Sequence, residues 1–250
     1  MIEASRKRKE MKEVDENGNE TEKNGKINYI VDQLANHEEK FTNQEIREHL
    51  MVLLITASET TANLVATTIV FLSIYPEVQQ KVYEEICQVY NDDAIEIDND
   101  NLGQLKYLDM VIKETLRLFS PIPISARETI EELDIGLDKP LSKGANIFLF
   151  NSVLHRREDI WGADANKFDP ERFSPENVAL RDPYSFLPFG AGPRMCIGNR
   201  YAMMSTKIEV MRFIEAYKFA TNLQEKDLKM KLAFTGKLSE KHMVSIEKRN

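Results

Sequence analysis

One long apolar stretch constrains this chain more than any other feature. Between residues 50 and 75 the only charged residue is Glu59, and Pro76 follows. A stretch of this length and apolarity is long enough to cross a membrane. A carboxylate inside it, among several threonines and serines, makes a membrane span costly. We therefore favour a helix that is buried on all sides within a large globular protein.

The start of this helix is marked by a capping box. Thr42 can accept a hydrogen bond from the backbone of Glu45, whose side chain can reach back to Thr42. Phe41 and Ile46 occupy the two positions of a hydrophobic staple. The helix is therefore predicted to begin at about Thr42 and to run until Pro76 stops it.

The remaining patterns predict a mainly α protein with small β-sheets, an α+β fold. Further helices are predicted from Pro76 onward, from about Asn101 to Phe119, and from about Asn199 to Phe219. Short strands are predicted at residues 124–129, at 145–150, and in the tail at about 229–248. The irregular stretch between them, residues 155–192, is long enough to suggest a functional role.

Composition excludes several classes of protein. The formal net charge is −8, which disfavours non-specific binding to nucleic acid. The two cysteines, Cys87 and Cys196, form no disulfide framework or zinc motif, and Cys87 is expected only to pack within its helix. Residues 1–26 are charged and have no apolar segment, so they are predicted to form a flexible arm or part of a helix and not a signal peptide.

The segment from Phe189 to Gly198 carries the most chemical information. It reads Phe-Gly-Ala-Gly-Pro-Arg-Met-Cys-Ile-Gly, a glycine-rich loop that presents one thiol just before a predicted helix. The helix N-terminus and the neighbouring Arg194 favour the thiolate over the thiol. Without further context, a single cysteine at such a junction is more often a buried structural residue.

This segment resembles the haem-binding loop of the cytochrome P-450 family, Phe-x-x-Gly-x-Arg-x-Cys-x-Gly. The resemblance implies that Cys196 is the axial thiolate ligand of haem iron. It also implies that Arg127, in a predicted strand, is a second contact to a haem propionate beside Arg194. The residues implied to bind the cofactor are Phe189, Gly190, Gly192, Arg194, Gly198 and Arg127.

Further segments resemble the family in the expected order. Residues 114–117 match its Glu-x-x-Arg motif, and residues 170–173 match its Pro-Glu-Arg-Phe loop. The stretch at 155–168 is similar to the family's approach to that loop. The resemblance implies that Glu114, Arg117 and Arg172 form a charge cluster behind the haem, with a role in folding and not in catalysis.

The sequence at residues 56–61 resembles the family's oxygen-activation motif, Ala/Gly-Gly-x-Asp/Glu-Thr-Thr. The resemblance implies that Glu59 and Thr60 are the acid and alcohol that deliver protons to dioxygen. Ala57 replaces the usual glycine, which loosens the helix beside the oxygen site in family members, and adds a methyl group there. Thr56 cannot form the ester that a glutamate forms in some fatty-acid-hydroxylating members, so haem b is expected to be held non-covalently.

The implied fold is the C-terminal half of the cytochrome P-450 fold, with the long helix over the haem and the cysteine loop beneath it. The resemblance covers about residues 27–250, and we suspect a partial gene model. The loop and tail resemble microsomal eukaryotic members near the fatty-acid-hydroxylase branch common in insects. This implies that the parent protein lies in the endoplasmic reticulum membrane, with no anchor in this chain.

The resemblance implies a monooxygenase that inserts one oxygen atom of dioxygen into an apolar substrate such as a fatty acid, steroid, hormone or xenobiotic. The implied electron donors are NADPH–cytochrome reductase, a flavoprotein, and cytochrome b5. Residues 121–125 and the turn at Thr235 and Gly236 correspond to regions that line the substrate in the family. A basic patch for the reductase is expected at Lys106, Lys113, Arg200 and Lys207.

Two alternatives stay open on the sequence. The chain can be an incomplete, catalytically inactive fragment of such an enzyme. It can also derive from a haem-thiolate isomerase or dehydratase, which would not activate dioxygen. The intact pair of Glu59 and Thr60 argues against the latter.

Overall fold

The structure is a computed structural model that describes residues 29–37, 40–90, 97–232, 235–239 and 244–249. The chain divides into two compact units, residues 1–58 and residues 59–250. The charged arm predicted at residues 1–26 lies outside the described residues.

The described residues form a mainly helical fold with small antiparallel sheets, as predicted. The helices are α1 (Ile30–Ala35), α2 (Asn43–Ile74), α3 (Pro76–Val89), α4 (Asn99–Gln104), α5 (Lys106–Leu118), α6 (Asn151–Leu154), α7 (Glu158–Trp161), α8 (Pro175–Ala179) and α9 (Asn199–Ala216). Short 3-10 turns lie at Pro170–Phe173, Pro183–Ser185, Gly192–Arg194 and Glu225–Asp227. The strands are β1 (Ser125–Glu128), β2 (Asn146–Leu149), β3 (Tyr217–Ala220), β4 (Met230–Leu232), β5 (Gly236–Leu238) and β6 (Ser245–Lys248), which pair as β1–β2, β3–β6 and β4–β5.

Helix α2 begins with the predicted capping box. The Thr42 hydroxyl accepts from the Glu45 backbone N–H at 3.2 Å, and the Thr42 backbone N–H donates to the Glu45 carboxylate at 2.8 Å. Two of the N–H groups that a helix start leaves without partners are satisfied in this way. The helix then runs without interruption to Ile74.

The burial of α2 differs along its length. Leu64, Phe71 and Leu72 in the C-terminal part are buried, whereas Met51 and Leu54 are exposed, Leu54 by 62%. The prediction of a helix buried on all sides is therefore wrong for the N-terminal half. By length and composition α2 could cross a membrane, and 22% of its most apolar window is buried. An apolar composition indicates that a helix face is buried against something, but it does not show whether protein or another partner buries it.

The core of residues 59–250 forms where α3, α5 and α9 pack together with the C-terminal part of α2. Its fully buried side chains include Phe71, Val82, Leu108, Ile112 and Ile214. Apolar residues three or four positions apart on α5 fall on one face, which is the face that this core buries. The core fixes α5 and α9, the two helices that carry or adjoin the candidate site.

The helix predicted from Asn101 to Phe119 is two helices, α4 and α5, because the backbone leaves helical geometry at Leu105 (ψ 71°). Leucine cannot cap a helix, and the Glu85 side chain on α3 does so instead. Its carboxylate oxygens accept from the backbone N–H groups of Tyr107 at 2.6 Å and Leu108 at 2.9 Å. The second helix therefore starts where α3 supplies the acceptor.

Two smaller predictions are also corrected. The last helix ends at Ala216, and Phe219 lies in β3, where it pairs with Ile246 of β6. The pairing partner is distant in sequence, so local periodicity did not reveal it. Cys87 is exposed on α3 and does not pack in the core, because it points away from the buried face that carries Val82 and Ile86.

Candidate functional site

The Cys196 loop, residues 189–198, is a closed turn that leads into α9. The Cys196 backbone N–H donates to the Phe189 carbonyl at 2.9 Å. Gly190 and Gly192 have φ of 72° and 70°, a region that side chains with a Cβ rarely adopt. A Cβ at either position would meet no atom within 4 Å. Backbone conformation, and not crowding, therefore requires glycine here.

The loop presents its thiol at the surface, three residues before α9 begins. Cys196 is exposed, and its neighbours Met195 and Ile197 are exposed too, Ile197 by 93%. A Cβ at Gly198 would lie 3.9 Å from the Cys196 Sγ, so the residue after Ile197 also approaches the thiol closely. An exposed soft ligand between apolar side chains, with Arg194 exposed beside it, fits the haem that the resemblance implies.

Arg127 takes no part in these loop contacts. It is exposed in β1, where its guanidinium donates to the neighbouring Ala126 carbonyl at 2.8 Å. No hydrogen bond joins it to the Cys196 loop among the described residues. Its predicted contact with a haem propionate stays a prediction.

The structure brings Glu114, Arg117 and Arg172 together. Arg117 and Glu114 are fully buried and form a two-pronged ion pair, Nε to Oε2 and Nη2 to Oε1, both at 2.7 Å. The remaining N–H groups of Arg117 donate to three backbone carbonyls: His155 at 2.7 Å, Ala165 at 2.6 Å and Lys167 at 3.1 Å. All five donors of the guanidinium are used.

Arg172 joins this cluster at its edge. Its Nε lies 3.7 Å from the Glu114 Oε1, an ion pair too long for a hydrogen bond, and its Nη2 lies 2.7 Å from an Asp164 carboxylate oxygen. The Glu114 Oε1 also accepts from the Asp169 backbone N–H at 2.9 Å. Burial raises the pKa of Glu114, and the hydrogen bonds and charge of Arg117 oppose that rise. Asp164 and Asp169 were not predicted from the sequence.

His155 connects the cluster to the approach of the Cys196 loop. Its carbonyl accepts from Arg117, and its Nε2 accepts from the Leu187 backbone N–H at 2.9 Å. Because Nε2 accepts, the neutral ring carries its hydrogen on Nδ1. Burial and the charges of Arg117 and Arg156 lower the pKa of His155 to about 4, so the ring is neutral near pH 7. From the sequence, the resemblance marked only the stretch that contains His155 and did not predict these bonds.

Glu59 and Thr60 are half-buried on α2. The Glu59 Oε1 accepts from the Thr235 hydroxyl at 2.9 Å, and the same hydroxyl accepts from the Asn63 side-chain amide at 3.1 Å. The sequence analysis marked the pair of Glu59 and Thr60 and, separately, the turn at Thr235. It did not predict the hydrogen bond between Glu59 and Thr235. Among the described residues no hydrogen bond joins Glu59 to the Cys196 loop.

The predicted basic patch is weaker than its composition suggests. Lys106, Lys113 and Lys207 line a cavity of about 300 Å³. Asp109 lies among them, 2.7 Å from the Lys113 Nζ and 3.2 Å from the Lys207 Nζ. The Lys207 side chain is only 12% exposed. Lys106 and Arg200 are exposed, so they carry most of the accessible positive charge.

Comparison with known proteins agrees with these motifs. The family model described as Cytochrome P450 matches residues 3–245. Probable cytochrome P450 313a1 of Drosophila melanogaster is 35% identical over 209 residues, which cover 83% of this chain and 42% of the relative. Cytochrome P450 4V2 of Rattus norvegicus is 35% identical over 189 residues, which cover 76% of this chain and 36% of the relative. The chain thus spans about two fifths of the length of these relatives.

Proposed function

The chain belongs to the cytochrome P450 family. From that premise we propose that it is part of a haem-thiolate monooxygenase, an enzyme that inserts one oxygen atom of dioxygen into an apolar substrate. The observation that carries the proposal is the Cys196 loop. Its thiol is exposed on a turn closed by the Cys196 N–H to Phe189 carbonyl bond, directly before the N-terminus of α9.

In this proposal Cys196 would hold the haem iron through its sulfur, and the exposed apolar side chains of Met195 and Ile197 would be available to the apolar part of the haem. Arg194 and Arg127 would pair with its carboxylates. When bound, the haem supplies the activation of dioxygen, which a thiolate ligand promotes by donating electron density. Helix α9 supports the charge on the sulfur, because an N-terminus carries partial positive charge.

Glu59 and Thr60, both on α2, are proposed to deliver protons to dioxygen. Successive helix residues point about 100° apart, so the alcohol can face the reacting oxygen while the acid faces water. In haem-loaded protein the Thr60 hydroxyl would donate its proton to reduced dioxygen, and Glu59 would return a proton from solvent to the hydroxyl. The support for this assignment is that Glu59 is the only charged residue between positions 50 and 75.

The cluster of Glu114, Arg117 and Arg172 is proposed to act through folding. It fixes the carbonyls of residues 155, 165 and 167, and through His155 it reaches Leu187, two residues before the Cys196 loop. We therefore assign the cluster no contact with substrate. Its role is to hold the segment from which the loop emerges.

The substrate and electron supply are proposed at the level of chemical class. Ile122 is exposed and Ile124 is half-buried in the segment after α5, which suits an apolar substrate. Electrons are proposed to come from NADPH through a flavoprotein reductase, with cytochrome b5 as a second donor. The parent protein is proposed to reside in the endoplasmic reticulum membrane.

The decisive experiment compares the two cysteines of the chain. In haem-loaded protein, Cys196→Ala should abolish the absorption band of the reduced carbon monoxide complex that is characteristic of thiolate ligation. Cys87→Ala, which removes the other exposed thiol, should keep the band. If Cys196→Ala keeps the band, the assignment of the iron ligand is wrong.

A further inference from the structure

The Thr235 hydroxyl links the C-terminal hairpin, which is the antiparallel pair of β4 and β5, to Glu59 of α2. Thr235 is almost fully buried, and its hydroxyl lies 2.9 Å from the Glu59 Oε1 and 3.1 Å from the Asn63 Nδ2. An ionised carboxylate can only accept hydrogen bonds, so the single hydroxyl hydrogen points to Glu59. The amide of Asn63, one turn further along α2, then donates to the hydroxyl oxygen.

The position of Thr235 is itself fixed by its neighbour. The Gly236 backbone N–H donates to the Pro121 carbonyl at 2.7 Å. A Cβ on Gly236 would lie 3.1 Å from the Ser120 carbonyl oxygen and 3.2 Å from a Pro123 ring carbon. Because this approach is so close, the turn is packed against the segment that follows α5. Thr235 is therefore a fixed donor and not a mobile surface hydroxyl.

The hydrogen bond makes the two oxygens of Glu59 inequivalent. Oε1 accepts the Thr235 hydrogen, whereas the described residues give Oε2 no hydrogen bond. When Glu59 takes up a proton from water, that proton therefore resides on Oε2, and it leaves from the same atom. A carboxylate without the Thr235 bond could rotate and exchange the two oxygens.

We propose that Thr235 is a positioning residue that holds the Glu59 carboxylate in one orientation for proton transfer through Oε2. The inference rests on the proposed role of Glu59 in delivering protons. It adds that the C-terminal hairpin, through Thr235, determines how well that acid works. Movement of the hairpin would then alter proton delivery without touching the Cys196 loop.

The first test needs no turnover. The infrared carboxylate band of Glu59 is identified as the band lost in Glu59→Gln. It should shift in Thr235→Val, which removes the hydroxyl at nearly constant volume, and return in Thr235→Ser. Thr129→Val is the matched control, because the Thr129 hydroxyl makes a comparable 2.7 Å bond to the Ser142 carbonyl between β1 and β2. A band that keeps its position in Thr235→Val overturns the inference.

The second test measures peroxide released per NADPH oxidised by haem-loaded protein with a flavoprotein reductase. Thr235→Val should raise this ratio several-fold, Thr235→Ser should restore it, and Thr235→Val should add nothing in a Glu59→Gln background. If Glu59→Gln leaves the ratio unchanged, the proposed role of Glu59 fails. If Glu59→Gln raises the ratio and Thr235→Val does not, the role of Glu59 stands and the positioning role of Thr235 fails.

Discussion

At the residue scale, the buried charge cluster depends on the shape of one side chain. Arg117 satisfies the Glu114 carboxylate with two N–H groups and three backbone carbonyls with the other three. A lysine would keep the positive charge but offers only three donors from one nitrogen. Charge alone therefore does not explain why arginine is needed here.

Arg117→Lys should lower the free energy of unfolding by at least about 2 kcal/mol, because each buried group left unpaired costs roughly 1–3 kcal/mol. Urea unfolding followed by circular dichroism measures this loss. Arg157→Lys is the control: Arg157 makes an exposed pair with Asp159, and its replacement should leave the unfolding midpoint unchanged. Equal midpoints for the two variants would show that the donor count of Arg117 does not matter.

The residues found from the sequence are those with local motifs. Glu114 and Arg117 lie three positions apart, and the Cys196 loop is one continuous segment. His155 and Thr235 lie in segments that the resemblance marked, but their bonds were not predicted because each acts on a distant partner, 32 residues away for His155 and Leu187 and 176 for Thr235 and Glu59. The hydrophobic periodicity or residue spacing within one helix or strand cannot predict a hydrogen bond between such distant residues.

At the scale of elements, α5 has its cap on another helix. The Glu85 carboxylate on α3 accepts from the second and third N–H groups of α5, the groups that a capping residue would satisfy. The stability of α5 is therefore tied to its packing against α3. The same helix carries Glu114 and Arg117 at its other end.

Glu85→Ala should reduce the free energy of unfolding by about 0.5–2 kcal/mol, the usual effect of losing an N-cap acceptor. Chemical denaturation measures the change. Glu84→Ala is the matched control, since Glu84 is exposed on α3 and only bonds Gln80 in its own helix. The cap has no energetic role if the two variants unfold at the same denaturant concentration.

The helices and strands also show which features local sequence patterns can predict and which they cannot. The limits of α2 were predicted correctly because a capping box and Pro76 mark them within the chain itself. The break at Leu105 was missed because its acceptor, Glu85, comes from another helix. The strand at Phe219 was missed because its partner, Ile246, is distant in sequence. The exposure of Leu54 was missed because an apolar composition does not show which residues pack against a helix.

At the scale of the whole molecule, the net charge of −8 makes the few accessible cations on α5 and α9 distinctive. Lys113 and Lys207 are partly neutralised by Asp109, which leaves Lys106 and Arg200 as the exposed positive charges of the predicted patch. Such charges accelerate encounter with an acidic partner by steering, and salt screens the effect.

The double variant Lys106→Glu and Arg200→Glu should slow electron transfer from the reductase at low salt and flatten its dependence on ionic strength. Stopped-flow reduction of haem-loaded protein gives both quantities. The control is Lys139→Glu with Lys143→Glu, which makes the same change of charge on exposed residues between β1 and β2. An equal loss of rate in the control would mean that net charge, and not this surface, governs the encounter.

The contacts of Arg117 also set an order in which the protein can be made. During synthesis the side chain emerges beside Glu114, but its carbonyl partners follow 38, 48 and 50 residues later. Until the ribosome has extended the chain past Lys167, burial of α5 would leave three of the five N–H donors of the Arg117 guanidinium without partners. Burying a charged group with unpaired donors is unfavourable in free energy. The nascent helix is thereby kept from docking prematurely, and the segment that leads to the Cys196 loop must arrive before this core can close.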